Sequence, residues 1–248
     1  YGNRPDGTNI NAGCGSMHPE RMCHWVQEHR AHIGIAHDGD ADRVLLCDEN
    51  GTLIDGDDIM AIAALEMLAE DSLANNTLVS TVMSNAGLDT AVEAAGGQVI
   101  RTPVGDKHVV DEMLRNGHNF GGEQSGHLIF GDHGTTGDGL VAALQILRIM
   151  GAKQKPLSEL AQCWSRFPQK LTNLLVAEKK PFEDLSDVLG LVSQAEAELE
   201  KDGGRILLRY SGTEPKVRLL LEGKDSDLLD RWSEKIIDSI NAQIGAAD

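Results

Sequence analysis

The chain has 248 residues, 41% hydrophobic and 25% charged, an ordinary composition for a soluble globular protein with room for two or three compact units. Its 22 basic and 39 acidic side chains give a formal net charge of −17, with the acids spread along the whole length. Such a field repels nucleic-acid backbones and anionic membranes, so neither nucleic acid nor membrane is expected as a partner.

The four cysteines, Cys14, Cys23, Cys47 and Cys163, form no CxxC pair and have no histidine at ligand spacing. That pattern points to reduced thiols in a cytoplasmic protein and away from zinc. The apolar stretch LVAALQILRIMGA is interrupted by Gln145 and Arg148 and falls short of the ~20 residues that span a bilayer. The chain opens on Tyr1 with neither an initiator methionine nor a signal segment, as expected of a piece of a longer protein.

In chain order, HIGIA (residues 32–36) and VLLCD (44–48) read as strands, and an ENG turn leads on into TLID, so the simplest local structure is a hairpin. Asp57 or Asp58 is expected to cap a helix whose Ile59, Ile62, Ala63 and Met67 share one face. A strand near TLVSTVM, a helix near LDTAVEAAG, a strand at QVIRT and a helix at DKHVVDEMLRNG follow in βαβα order, which argues for an α/β layer. GGEQSGHLIFG reads as a glycine-rich loop running into a short strand, and a helix from about Gly139 to Met150 closes the region. After RFPQK the pattern changes to strand LTNLLVA, helix VLGLVSQAEAELEK, hairpin RILLRYSGTEPKVRLLLEG and helix DLLDRWSEKIIDSINAQI. Leu229, Trp232, Ile236 and Ile240 form the packing stripe of the last helix. Boundaries are expected near Ile54 and Phe167, giving segments 1–54, 55–166 and 167–248.

Between the first two strands stand Asp38, Asp40 and Asp42. In an extended segment, side chains at i, i+2 and i+4 point the same way, and three converging carboxylates repel one another unless a cation sits among them. Hard oxygen donors on a short turn suit Mg2+; a solvated acidic turn is the bland alternative. A calcium loop matches Asp38, Asp40, Asp42 and Glu49 at its first, third, fifth and twelfth positions, but Arg43 replaces its glycine and the flanks read as strands. Arg43 can neutralise the cluster or hold a phosphoryl group brought to it. In RYSGTEPK, Arg209 offers a planar fork, Ser211 and Thr213 offer hydroxyls, and Gly212 lets backbone N–H groups turn inward, which suits a phosphate as well as it suits a plain polar turn. In GGEQSGH, Glu123 and Ser125 alternate and could bind adjacent hydroxyls of a polyol, and His127 could carry a proton. A purely structural loop is the alternative there.

In this order and at these spacings, DGDADR, GEQSGH and RYSGTEP, with RPDGTNINAGCGSMHPE upstream, resemble the α-D-phosphohexomutase family over essentially the whole chain, and its amino-sugar branch in particular. The resemblance implies an α/β protein of phosphohexomutase type: mixed-sheet α/β domains followed by a smaller α+β carboxy-terminal domain. Family members have four domains around one cleft. Here 1–54 would be part of the metal-loop domain, 55–166 the sugar-loop domain and 167–248 the phosphate-loop domain.

Asp38, Asp40 and Asp42 would bind Mg2+, Arg43 would steady the phosphoryl group in transit, and His127 would be a candidate proton carrier. Glu123, Ser125 and Lys107 would contact the sugar, while Arg209, Ser211, Gly212 and Thr213 would hold the phosphate that is not being transferred. The implied activity is a phosphosugar mutase acting on a phosphorylated hexosamine through a phosphoserine and a bisphosphorylated sugar. A mutase of mannose or glucose phosphates, or a non-catalytic sugar-phosphate or metal binder, are the alternatives.

The family's phosphoserine lies in a Thr-Ala-Ser-His-Asn-Pro type loop that has no counterpart here, and Ser16 in GSMHPE resembles it only superficially. The chain alone is therefore expected to be inactive and to need the missing amino-terminal domain as its partner; a homodimer is one candidate assembly. Lys107 and His108 stand where the branch usually carries arginine and tyrosine, so Lys107 keeps the charge without the bidentate fork.

Overall fold

A computed structural model describes residues 2–211 and 214–245. The chain divides into two compact units, Tyr1–Ser84 with Leu88–Ser165, and Asn85–Gly87 with Arg166–Asp248.

The first unit begins with helix α1 (Glu20–His29), which was not among the expected elements. Strands β1 (Gly34–His37), β2 (Val44–Cys47) and β3 (Leu53–Ile54) follow and form an antiparallel sheet in the order β1-β2-β3. The predicted hairpin is therefore present, with His37 opposite Val44 and Gly34 opposite Cys47. Val44, Leu46 and Cys47 are fully buried.

Helix α2 (Gly56–Ala69) differs from expectation at its start and around its circumference. Its N-cap is Asp55, whose side chain accepts from Asp57 N and Asp58 N, while Asp58 returns a carboxylate oxygen to Asp55 N at 3.0 Å. This is a reciprocal capping box, so Asp58 serves the cap from the third helical position and Asp57 lies inside the first turn. Placing the cap just before the first apolar residue set it two or three positions too late. Ile59, Met60, Ala61, Ile62, Ala63 and Ala64 are all buried, so the helix is apolar all round and central to the core instead of one-faced.

Strands β4 (Thr77–Thr81) and β5 (Gln98–Thr102) alternate with helices α3 (Ala86–Ala94) and α4 (Asp106–Asn116), and β6 (Phe120–Gly122) and β7 (Leu128–Phe130) complete a four-stranded sheet in the order β5-β4-β6-β7. β5, β4 and β6 run parallel, and β7 turns back antiparallel to β6. β4 is buried at every position, as a strand covered on both faces requires. Helix α5 (Gly139–Lys153), capped by Asp138, and the single turn α6 (Leu157–Leu160) close the unit.

The second unit is a two-layer α+β fold. Strands β8 (Gln169–Leu175), β9 (Arg205–Tyr210) and β10 (Lys216–Glu222) form an antiparallel sheet in the order β8-β10-β9. Helices α7 (Ser186–Leu199) and α8 (Ser226–Ile244) cover it. The expected stripe of Leu229, Trp232, Ile236 and Ile240 packs with Val188, Ala195, Leu199, Val217, Leu219 and Leu221 into one core. Mixed-sheet α/β structure followed by a smaller α+β unit is the fold class that the sequence implied.

Candidate functional site

Residues 38–43 form the loop of the β1–β2 hairpin. The loop is bent, with Ala41 in the left-handed region at φ 60, Ala41 N donating to Asp38 O at 3.3 Å and Arg43 N donating to Asp38 Oδ1 at 3.1 Å. Convergence of the acids therefore comes from a folded turn and not from extended alternation. The result is nonetheless the one expected: an oxygen from each of Asp38, Asp40 and Asp42 lies within 4.8 Å of the others. Asp42 Oδ1 is buried and has no hydrogen-bond partner. Arg43 Nε stands 4.0 Å away, too far for a hydrogen bond, so this shielded oxygen lacks a donor, a costly state that a cation relieves. Three hard oxygen donors with room for further ligands fit Mg2+.

Residues 123–127 connect β6 to β7 as a tight loop, closed by Glu123 N donating to His127 O at 2.9 Å and Gly126 N donating to Glu123 O at 3.0 Å. Glu123 Oε1 accepts from Gly105 N at 2.9 Å and Oε2 accepts from the Ser125 hydroxyl at 3.1 Å. Ser125 is exposed and Glu123 half-buried, so the pair presents polar groups to solvent from an ordered base. Through Gly105 the same carboxylate anchors the start of α4, where Lys107 and His108 are exposed. A lysine in a helix's first turn opposes the macrodipole, so Lys107 gains nothing there for the fold. Since β4, β5 and β6 are parallel, the loops after them share the carboxyl end of the sheet, where open α/β sheets bind ligands.

The acidic loop and the 123–127 loop are joined by backbone. Arg43 and His127 form an antiparallel bridge, Val44 N donates to Gly126 O at 3.0 Å, and Gly56 N donates to Gln124 O at 3.1 Å. Gly139 N adds a bond to Ala41 O at 2.9 Å. The side chain of His127 is 3% exposed, its Nδ1 lies 3.0 Å from Asp42 Oδ2, and Gly137 N donates to its Nε2 at 3.2 Å. A backbone N–H can only donate, so Nε2 is the unprotonated nitrogen and Nδ1 carries the proton toward Asp42. Both ring nitrogens thus have a partner within hydrogen-bonding distance. Arg43 is 41% exposed, with Nε 4.0 Å from Asp42 Oδ1, an ion-pair distance too long for a hydrogen bond.

In the second unit, Arg209 and Ser211 sit at the end of β9, while Gly212 and Thr213 lie outside the described residues. Ser211 is buried, its N–H donates to Lys216 O at 2.8 Å and its carbonyl accepts from Lys179 Nζ at 2.6 Å. Arg209 stands directly opposite Arg218 on β10. Two cations in register across a ladder are unfavourable unless a countercharge is near, and Glu214 lies 3.9 Å from Arg218. Sequence reasoning missed Lys179 and Arg218. The strand register could have found Arg218, whereas nothing local marks Lys179. Ser16 is 8% exposed within the short helical turn Gly15–Met17, which does not suit a nucleophile.

Residues 55–167 match the family model described as "Phosphoglucomutase/phosphomannomutase, alpha/beta/alpha domain III" and residues 171–239 the one described as "Phosphoglucomutase/phosphomannomutase, C-terminal domain". The chain belongs to the phosphoglucomutase/phosphomannomutase family. Among its relatives, the phosphoglucosamine mutase of Geobacter metallireducens is 56% identical over 245 residues, covering 99% of this chain and 54% of that protein. The chain spans about half the length of the curated relatives it matches. A phosphoglucomutase/phosphomannomutase family protein from Burkholderia thailandensis superposes with a TM-score of 0.72 at 23% identity, over 94% of this chain and 51% of the other. The N-acetylphosphoglucosamine mutase of Aspergillus fumigatus, in complex with GlcNAc-6P and magnesium, superposes with a TM-score of 0.68 at 20% identity, over 94% and 53%. At these identities the two structures speak for the fold alone. Among the described residues no helix is long and apolar enough to cross a membrane.

Proposed function

We propose that the chain is the metal-binding, sugar-binding and distal-phosphate-binding part of a phosphoglucosamine mutase, which interconverts glucosamine 6-phosphate and glucosamine 1-phosphate through a phosphoserine and a bisphosphorylated sugar. The observation that carries the metal assignment is the convergence of Asp38, Asp40 and Asp42, each bringing an oxygen within 4.8 Å of the others, beside a buried Asp42 Oδ1 that accepts no hydrogen bond. High identity to curated phosphoglucosamine mutases supports the amino-sugar substrate. A segmentation into 1–54 (metal loop), 55–166 (sugar loop) and 167–248 (phosphate loop) belongs to the same proposal.

When bound, Mg2+ would supply Lewis-acid stabilisation of a phosphoryl oxygen. The chain's own groups supply the rest. Arg43 offers a partly exposed guanidinium beside the triad to balance the charge of a group in transfer. Glu123 and Ser125, ordered by the bonds from Gly105 N and from one to the other, accept from vicinal sugar hydroxyls, and Lys107 adds a point charge at the start of α4. Arg209 and Ser211, with Gly212 and Thr213, hold a phosphate; the facing Arg218 supports an anion at that place. Positioning without a nucleophile is what these parts provide.

The test is to mix the purified chain with the separately produced amino-terminal half of a relative, add Mg2+, glucosamine 6-phosphate and a trace of the 1,6-bisphosphate, and follow phosphate migration by phosphorus NMR. Glucosamine 1-phosphate should form. A reconstituted pair that moves phosphate on mannose or glucose phosphates and not on glucosamine phosphates would replace the substrate assignment.

A further inference from the structure

We propose that His127 is a positioning residue that fixes Asp42 as a one-oxygen ligand and thereby sets the preference of the carboxylate triad for Mg2+ over Ca2+. This rests on the assignment of Asp38, Asp40 and Asp42 as a metal site. The geometry divides the Asp42 carboxylate in two: Oδ2 accepts from His127 Nδ1 at 3.0 Å, and Oδ1 is buried and accepts no hydrogen bond, with Arg43 Nε 4.0 Å away. The bond from His127 takes one acceptor site of Oδ2 and fixes the direction of the carboxylate, so Oδ1 is the oxygen with its acceptor sites open to a cation. Ca2+ accepts six to eight oxygens and uses carboxylates through one or both oxygens, whereas Mg2+ demands near-ideal octahedral geometry from single oxygens at short range. A carboxylate held to one oxygen therefore disfavours the larger, more permissive ion.

The hold is itself built. His127 is buried, its backbone is locked by the bridge to Arg43, and its Nε2 is pinned by Gly137 N–H, which fixes Nδ1 as the donor. Gly137 must be glycine for that approach, because a Cβ there would fall 2.4 Å from ring atoms Cε1 and Nε2. The donor thus reaches Asp42 from a residue 85 positions away in sequence, on the loop that carries Glu123 and Ser125. Metal ligation and the placement of that loop share one side chain.

The test compares His127→Asn with His127→Gln. The asparagine amide N–H falls near the place of Nδ1, and the glutamine amide falls near Nε2, so two polar variants of similar bulk differ in whether Asp42 keeps its donor. Mg2+ and Ca2+ affinities of the 248-residue chain are measured by calorimetry, with Asp40→Asn as the control and thermal unfolding in EDTA as the check on folding. His127→Gln should lose Mg2+ affinity about 10- to 100-fold, the scale of lost outer-shell partners of metal ligands. Its Ca2+ affinity should fall less, narrowing the ratio, and His127→Asn should recover most of both. Equal behaviour of the two variants, or an unchanged Mg2+/Ca2+ ratio in His127→Gln, would overturn the role of His127 while leaving the metal site standing. A wild-type chain that binds neither ion would overturn the metal site and this inference with it.

Discussion

Asp40 is the exposed member of the acidic triad, so its charge can be removed without disturbing buried packing. Asp40→Asn keeps the shape and deletes one like charge. Calorimetry should show Mg2+ binding lost, and melting in EDTA should show stability unchanged or slightly raised, since repulsion within the triad is relieved. A lowered melting temperature with intact Mg2+ binding would make Asp40 a structural residue. At the other polar loop, Arg209→Lys replaces a planar fork by a point charge. Affinity for a sugar phosphate should weaken by on the order of 1 to 3 kcal/mol, the scale of a charge-assisted hydrogen bond, with the melting temperature held. Unchanged phosphate affinity in that variant would make RYSGTEPK a plain turn. The triad was legible in the sequence because its three acids lie within five residues. The partner of Asp42 was not, because His127 comes from another hairpin and its engagement of both ring nitrogens exists only in the folded chain.

Hairpins and helix caps set where these side chains point. Gly126 has φ +91, and a Cβ there would lie 2.2 Å from Val44 O. Gly126→Ala therefore strains the backbone and pushes β2 away from the 123–127 loop, and denaturant unfolding should show a loss of at least about 1 to 3 kcal/mol. Mg2+ affinity should fall with it, because Val44 directly follows the acidic loop; a stable variant with full metal affinity would show that the two loops are independent. Removing the capping box by Asp55→Ala should cost about 0.5 to 2 kcal/mol without changing metal affinity, as the box's reciprocal bonds close the first turn of α2. Most elements were readable from alternation and helical spacing, since β1, β2, β4, β5 and the helices of the second unit carry strong apolar patterns. Two were not. In α1 only Val26 is buried, leaving little periodic signal. β6 is Phe-Gly-Gly, a sequence of weak β propensity that is a strand only because β4 and β7 flank it.

On the proposed assignment the 248-residue chain positions a metal, a sugar and a phosphate, but none of its serines lies in a loop of the family's phosphoserine type. Incubated alone with Mg2+, glucosamine 6-phosphate and the 1,6-bisphosphate, it should bind and not turn over, because the proposed route needs a covalent phosphoryl carrier. Sustained turnover that disappears in Ser16→Ala would make that buried serine the nucleophile after all. The backbone bonds between the acidic loop and the 123–127 loop also bear on how such enzymes can be recombined. A chimera joined at residues 54 and 55, where the family's domain match begins, would take Arg43 and Val44 from one parent and Gly126 and His127 from the other. Because those partners meet through main-chain register and one imidazole–carboxylate bond, a single inserted or deleted residue in either loop would misalign the graft even between parents identical at every named side chain.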